Sequence, residues 1–492
     1  MPRRVPVCLV GRLPGFRPGV RGVTGSVAVV AYNAPARARA GPEPGRFRVD
    51  PVGESFPENA SLFRFLHAAD IHLDSPLQGL ERYPDAPVDA VRGAPRRAFE
   101  ALIDLAIEER VAFVLLAGDL YDGDWKDYNT GLFFVGQMRR LAEAGIAVHL
   151  VSGNHDAASQ ITKRLSLPPN VHHYATRRPE TIELPDFDVA IHGQSFAARR
   201  VSEDLAAAYP MADPGRVEIG LLHTSLDGRP GHADYAPCTA EGLRAKGYAY
   251  WALGHVHQRE VVSRDPWIVF PGNLQGRHAR ETGGKGASLV TVDHGRVVDV
   301  DHRDLDVVRW ARIELDLESV GHPDDALARV RDALAAALVE ADGRLLAARV
   351  VLGGATRAHA ALVREPARWL HECRLLATGM AEPGIWLERL ELATRPRGEL
   401  GRLLERDDAL GGLLRRVEAL ERAPLDLART REELADLKRR LPAALIGEAG
   451  SGAEEDGRAE RFDPTDPAWL RARLPAVRDL LWSRLLDGEA SE

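Results

Sequence analysis

The sequence predicts an α/β protein: two stacked mixed β-sheets flanked by helices, then a smaller α+β unit and C-terminal helices. Three observations predict it. From Leu62 to Asp156, apolar strand runs alternate with amphipathic helices in the order β-α-β-α-β, the pattern of a sheet with helices packed on it. Beyond Pro179 the helices thin out and short apolar runs succeed one another, as a second sheet requires. Around residue 307 the pattern changes again, which separates a further unit from the first.

The first strand lies in "LFRFLHAADIH" and the first helix in "APRRAFEALIDLAIEER", where Phe99, Leu102, Ile103, Ala106 and Ile107 share one face. Strand "VAFVLLAGDLYDGD", a helix over about 129–144, and strand "IAVHLVSGNHD" follow. The second sheet is read in "DVAIHGQSF", "VEIGLLHTSLDG", "YAYWALGHVHQ" and "WIVFPGN", ending in a hairpin, "SLVTVDHGRVVDVDH", that turns at Asp293 to Gly295. These elements make one domain over residues 61–305. Residues 306–396 form the α+β unit, with "ARIELDLESV", the helix "DDALARVRDALAAALVEA", "AARVVLGG" and "IWLERLELAT". Residues 397–446 hold two charged helical stretches, over about 398–422 and 425–440. Their leucines, at 400, 403, 410, 414, 420 and 427, are only loosely heptad, so a short helical pair is expected. An acidic flexible linker spans 447–463. In the last stretch, 464–492, Leu470, Leu474, Val477, Leu481 and Leu485 fall at helical spacing beside Trp469 and Trp482, with a kink expected at Pro475.

At 492 residues the chain is too long for one core. Its net charge of -8 provides no whole-chain basic field, so nucleic-acid contact would use local patches. Three cysteines without CxxC spacing, Cys8, Cys238 and Cys373, argue against a disulfide framework, a zinc ribbon or a thiol nucleophile, and fit a reducing cytoplasm. No apolar run approaches the roughly 18 residues a membrane helix needs, so no membrane association is expected. Residues 1–60 carry nine Pro, eight Gly and nine Arg but no Lys, and keep no helical or strand period. They read as a disordered extension or, preferably, as a start set too far upstream; Gly and Pro interrupt any signal-peptide core.

The chemistry collects at the strand ends. "DIH" offers Asp70 and His72, "GDLYD" offers Asp119, "GNHD" offers Asn154, His155 and Asp156, "LLHTS" offers His223, and "GHVH" offers His255 and His257. Carboxyl ends of neighbouring strands converge on one crevice, so these residues can meet. On an extended chain, residues i and i+2 project to one face, which lets D-x-H and H-x-H clamp a common centre. Imidazole, carboxylate and one amide oxygen, with no thiolate, suit Mn²⁺, Fe or Zn²⁺. Seven ligands exceed what one tetrahedral ion accepts. Shared between two ions roughly 3.5–4 Å apart, with Asp119 as the bridge, they suit hydroxide generation and in-line attack on a phosphoester.

The series resembles the calcineurin-like metallophosphoesterase superfamily, and its wording is similar to bacterial DNA repair exonucleases of the SbcD and YhaO type. "LHAADIHLDSPL", "GDLYD", "SGNHD", "HGQSF", "LLHTS", "GHVHQRE" and "FPGNLQGRHARETGGKG" carry the likeness, over about residues 62–305. The resemblance implies an α/β/β/α sandwich and two divalent ions, expected to be Mn²⁺. Asp70, His72, Asp119 and His257 would hold one ion, and Asp119, Asn154, His223 and His255 the other. It makes His155 the proton donor to the departing sugar oxygen, or a stabiliser of the transition-state charge, with Asp156 orienting its ring. It implies that residues 306–396 cap the site, that the C-terminal helical segment 464–492 docks an SbcC-like coiled-coil ATPase, and that the chain dimerises.

For DNA contact, Arg277 and His278 of "GRHARE", with Arg280, are candidates, as are Lys163, Arg164, His172, His173, Arg177 and Arg178. Solvated loop charge is the plain alternative for both clusters. The leading expectation is thus a two-metal DNA exonuclease. Its rivals are a phosphatase or nucleotide phosphodiesterase for small esters, and a non-catalytic assembly subunit of an ATPase complex.

Overall fold

The computed structural model describes residues 62–75, 87–122, 128–158, 166–228, 235–380, 384–397, 404–422 and 428–440, with 463, 465–467, 469–475 and 477–478 towards the C-terminus. The expectations placed on residues 1–60, on Lys163 and Arg164, on almost all of the linker, and on Leu481, Trp482 and Leu485 lie outside the described residues.

The first sheet grows from parallel pairing of β1 (Phe63–Ala68), β2 (Phe113–Ala117), β3 (Ala147–Val151) and β4 (Val171–His173). Parallel neighbours need crossovers. After the short α1 (Val88–Arg92), these are supplied by α2 (Ala94–Glu108) and α3 (Tyr128–Glu143). Helix α2 carries Pro95 in its first turn, where the missing N–H costs nothing. It buries Ala98, Phe99, Leu102, Ile103 and Ala106 at the expected spacing, with Ile107 half-buried beside them. A fourth helix of this region, α4 (Asn154–Ala158), is a single turn directly after β3.

The second sheet takes the order β5-β6-β7-β8-β10-β9. Its strands are β5 (Glu180–Leu184), β6 (Val189–Gly193), β7 (Val217–His223), β8 (Tyr250–Gly254), β9 (Glu260–Arg264) and β10 (Trp267–Phe270), with α5 (Ala240–Ala245) between β7 and β8. The hairpin β11 (Gly286–Asp293) and β12 (Arg296–Asp304) turns where the sequence indicates, but it does not join this sheet. It returns to the first, where β11 pairs antiparallel with β1 from Phe63↔Val292 to His67↔Ser288. There it supplies partners for backbone groups that β1 would otherwise expose along a sheet edge.

Apolar side chains of the two inner faces fill the space between the sheets. Phe65 stacks on Phe113 at a centroid distance of 4.9 Å and meets Tyr250 edge-on at 5.3 Å, among Val151, Ile219 and Leu221. Each such side chain stabilises the fold by roughly 1.5–3 kcal/mol on burial, so the sheets are held face to face with their strand ends in fixed relation.

In residues 306–396, β13 (Val308–Asp316), β14 (Leu345–Thr356) and β15 (Ile385–Pro396) form an all-parallel sheet. The crossovers are α6 (Pro323–Glu340) and the pair α7 (His359–Arg364) and α8 (Pro366–Thr378). The helical pair follows as α9 (Ala409–Arg422) and α10 (Ala428–Arg440). Helix α9 is capped by Asp408, whose Oδ1 accepts from Gly411 N at 2.9 Å; the expected helical start at 398 lies outside the described residues. Lys438 Nζ on α10 donates to Asp463 at 2.7 Å, and the described residues over 469–475 are helical. The kink expected at Pro475 falls beside residue 476, outside the described residues. Among the described residues no helix is long and apolar enough to cross a membrane.

Candidate metal centre

Strands β1, β2 and β3 of one sheet and β7 and β8 of the other end at the same edge of the sandwich. The loop after β1 is laced to the loop after β2, with Asp70 N donating to Gly118 O at 3.0 Å and His72 N to Asp119 O at 3.0 Å. Four residues there have left-handed backbone: Asp70 at φ 50°, His72 at 47°, Asp119 at 51° and His255 at 103°. Such conformations cost of order 1–3 kcal/mol each and persist only where the surroundings over-determine them. Here they turn the side chains inward. His255 N donates to both oxygens of Asp70, at 3.1 and 3.0 Å, joining the end of β8 to the end of β1.

The seven expected ligands come together. Asp70, His72 and His257 present donor atoms within 4.8 Å of one another, and so do Asp119, His223 and His255. Asn154 joins the second group through Oδ1, 2.9 Å from His223 Nε2. Asp119 also accepts from His155 N at 3.0 Å through Oδ1, while its Oδ2 lies 3.5 Å from His223 Nε2. Space for this is made by glycine: a Cβ on Gly153 would stand 2.8 Å from His223 Cε1 and collide with the Asp119 carboxylate.

The donor set fits divalent cations on three observations. His223 Nδ1 lies 2.9 Å from Ala117 O, and a carbonyl only accepts, so Nδ1 carries the proton. In the neutral ring Nε2 is then a lone pair, and it faces the Asn154 amide oxygen at 2.9 Å and the Asp119 carboxylate at 3.5 Å, three donor atoms for a cation. His72 Nε2 and His257 Nε2 meet at 3.2 Å, and His72 Nδ1 is buried with no hydrogen-bond partner. Burial and the neighbouring Asp119 charge push Asp70 well above the usual carboxylate range. Two carboxylate charges buried side by side cost several kcal/mol per ion; a cation between them would offset that cost.

His155 and His257 are partly exposed, at 14% and 19% of their side chains, against 2% for Asp119 and 0% for His223, so the centre opens to solvent on their side. His155 Nδ1 lies 3.0 Å from Asp122 Oδ1. Burial works to raise Asp122, but the His155 hydrogen bond, the Arg277 charge and the Ser75 hydroxyl, at 2.6 Å, outweigh it and hold the carboxyl well below its usual range. The carboxylate orienting His155 is thus Asp122, where the sequence reading had placed Asp156. Asp156 is committed to the backbone: Tyr121 N at 3.0 Å, Leu120 N at 3.2 Å and Gly153 N at 3.1 Å all donate to it. It pins the "GDLYD" loop to the "GNHD" loop.

His257 is held by a residue that sequence reasoning missed. Glu281 is buried, and although burial works to raise it, Arg277 and His257 keep it ionised. An ionised carboxylate only accepts, so at 2.6 Å His257 Nδ1 donates to Glu281 Oε1 and leaves Nε2 for a metal. The only signal for Glu281 was its place in the quoted block "GRHARETGG". Asp122 was in view inside "GDLYD" but had no role. Arg277 reaches the site, 3.6 Å from Asp122 and 3.5 Å from Glu281, and His278 lies 3.8 Å from Glu281. Of the second basic cluster, His173 Nε2 pairs with Ser152 Oγ at 2.9 Å just before Gly153, while Arg177 and Arg178 are exposed. Burial pushes the thiols of Cys238 and Cys373 up to about 12, which leaves neither a nucleophile at neutral pH.

Residues 63–259 match the family description "Calcineurin-like phosphoesterase", and residues 310–395 match "Metallophosphoesterase YhaO, middle domain". An uncharacterized metallophosphoesterase YhaO from Bacillus subtilis is 34% identical over 379 residues, covering 73% of this chain and 90% of that protein. The DNA double-strand break repair protein Mre11 of Methanopyrus kandleri is 25% identical over 279 residues, or 51% of this chain and 58% of its own length; its counterpart in Sulfurisphaera tokodaii is 25% identical over 269 residues, or 50% and 64%. The chain therefore spans less than two thirds of each of these two repair proteins.

Proposed function

Because this chain belongs to the calcineurin-like metallophosphoesterases of the YhaO type, we propose that its phosphoesterase chemistry is directed at DNA ends, as a Mn²⁺-dependent exonuclease acting in repair. The observation that carries the reading is the gathering of Asp70, His72, Asp119, Asn154, His223, His255 and His257 at one edge of the sandwich, with His155 opening from it. Distant likeness to proteins named for DNA double-strand break repair supports nucleic acid as the substrate.

Asp70, His72, Asp119 and His257 would hold one ion and Asp119, Asn154, His223 and His255 the other. Bound ions in such a centre supply a nucleophile at neutral pH and neutralise charge on the phosphoryl oxygens. With Nδ1 held by Asp122, His155 uses Nε2 to give a proton to the departing sugar oxygen, and Asp122 stabilises the imidazolium before transfer. Arg277 and His278 at the rim meet the phosphate backbone, so binding to DNA weakens steeply with salt as counterions are released. Residues 306–396 cap the site and restrict which ends enter. Exposed Val477, in the C-terminal stretch 464–492, would meet an SbcC-like coiled-coil ATPase, in an assembly of two copies of this chain.

The test is digestion of linear against closed circular duplex with Mn²⁺, using wild type and His155→Ala. The wild type is expected to degrade the linear form and spare the circle, and the variant to degrade neither. Turnover of p-nitrophenyl esters with no DNA cleavage would replace this reading with a small-ester phosphatase. If a purely structural subunit were correct, Asp119→Ala would keep every cellular function of the wild type.

A further inference from the structure

The segment Asn273–Lys285, between β10 and β11, is tied on two sides. On one side it grips His257. Glu281 Oε1 accepts from His257 Nδ1 at 2.6 Å, and Oε2 accepts from Asn273 Nδ2 at 2.9 Å and from Arg277 N at 2.7 Å. Lys285 Nζ donates to the His257 carbonyl at 3.0 Å. Ring and backbone of this one histidine are both held from the same thirteen-position stretch.

On the other side the segment is stapled to β13, the first strand of the small domain. Gln275 Oε1 accepts from Val307 N at 2.9 Å and Val308 N at 3.3 Å, and its Nε2 donates to Val308 O at 2.6 Å. Trp310 Nε1 donates to Gly276 O at 3.0 Å, and Gly283 N to Trp310 O at 3.2 Å. Ala279 packs in one apolar cluster with Trp310 and Trp386. Gln275, Glu281 and Lys285 are buried at 2%, 7% and 3% exposure, so none of these bonds can be exchanged for water without moving the segment. A displacement of β13 must therefore break buried hydrogen bonds or carry Glu281 with it, and Glu281 sets which nitrogen of His257 bears the lone pair.

We propose that Glu281 is the positioning residue for His257, and that through Asn273–Lys285 the seating of the small domain sets metal affinity on the His257 side of the centre. The inference rests on His257 being a metal ligand.

The test is titration of Mn²⁺ into metal-stripped protein, with free ion followed by EPR. Wild type binds two ions. Glu281→Ala keeps one at wild-type affinity and binds the other about 10–100-fold more weakly. Glu281→Gln loses less, because an amide oxygen still accepts from Nδ1. Gln275→Ala, on the domain side, weakens that same ion, whereas Arg349→Gln, which breaks the Arg349–Glu388 pair inside the small domain, weakens neither. Two ions at wild-type affinity in Glu281→Ala and Gln275→Ala would overturn the proposal, as would equal weakening of both ions in Gln275→Ala and Arg349→Gln. Fewer than two ions in the wild type would instead overturn the metal-centre reading beneath it.

Discussion

At the residue scale, adjacent positions in "GNHD" separate into three tasks. Asn154 faces His223, His155 meets Asp122, and Asp156 takes up backbone N–H groups. His155→Ala is expected to lower kcat by about a hundred- to ten-thousand-fold, the worth of a positioned acid, while metal content stays near two per chain. A metal-loaded variant that still digests DNA at the wild-type rate would remove His155 from the chemistry. Asp119→Ala removes the carboxylate proposed to bridge the two ions and should lose metal. The two neighbouring carboxylates should also behave differently. Asp122→Asn lowers kcat with little change in the urea midpoint. Asp156→Ala leaves three buried donors without an acceptor and lowers stability by at least about 2 kcal/mol. Equal effects on midpoint in the two variants would contradict the separate roles.

At the element scale, close approach of the β3 end to the β2 and β7 ends requires Gly153. A methyl group there overlaps Asp119 and His223, so Gly153→Ala should cost roughly 1–3 kcal/mol and lower metal content; calorimetry and metal analysis on the same sample would check both. Most of the strands were legible because they are apolar runs closed by polar residues, and the candidate ligands stood out because those polar residues are all metal-binding types. Pairing was less so. The turn of the β11–β12 hairpin is written locally, at Asp293 to Gly295, but its choice of β1 as neighbour depends on an open sheet edge that no local pattern records. The strand β4 is three residues long and β5 alternates without strong apolar character, so neither stood out. Glu281 was hidden for a similar reason: a charged residue in a loop reads as solvated until the fold buries it against His257.

At the scale of the whole molecule, the packed sheets also bury histidines that have no part in the centre. Burial lowers His67 and His149 to about 3 from 6.5. Between those values the unfolded chain takes up a proton that the folded chain refuses, so stability falls with falling pH, by up to about 1.4 kcal/mol per pH unit for each histidine. Urea unfolding in chelator at pH 7 and pH 5 should show the loss, and His149→Phe should make it shallower; identical slopes would contradict the burial argument. The same packing holds five strand ends in register, and on that the functional account depends. Anomalous scattering from crystals of the protein grown with Mn²⁺ tests it most directly. The account predicts two peaks that share Asp119, one reached by Asp70, His72 and His257 and the other by Asn154, His223 and His255. A single peak, or peaks away from these side chains, would contradict it.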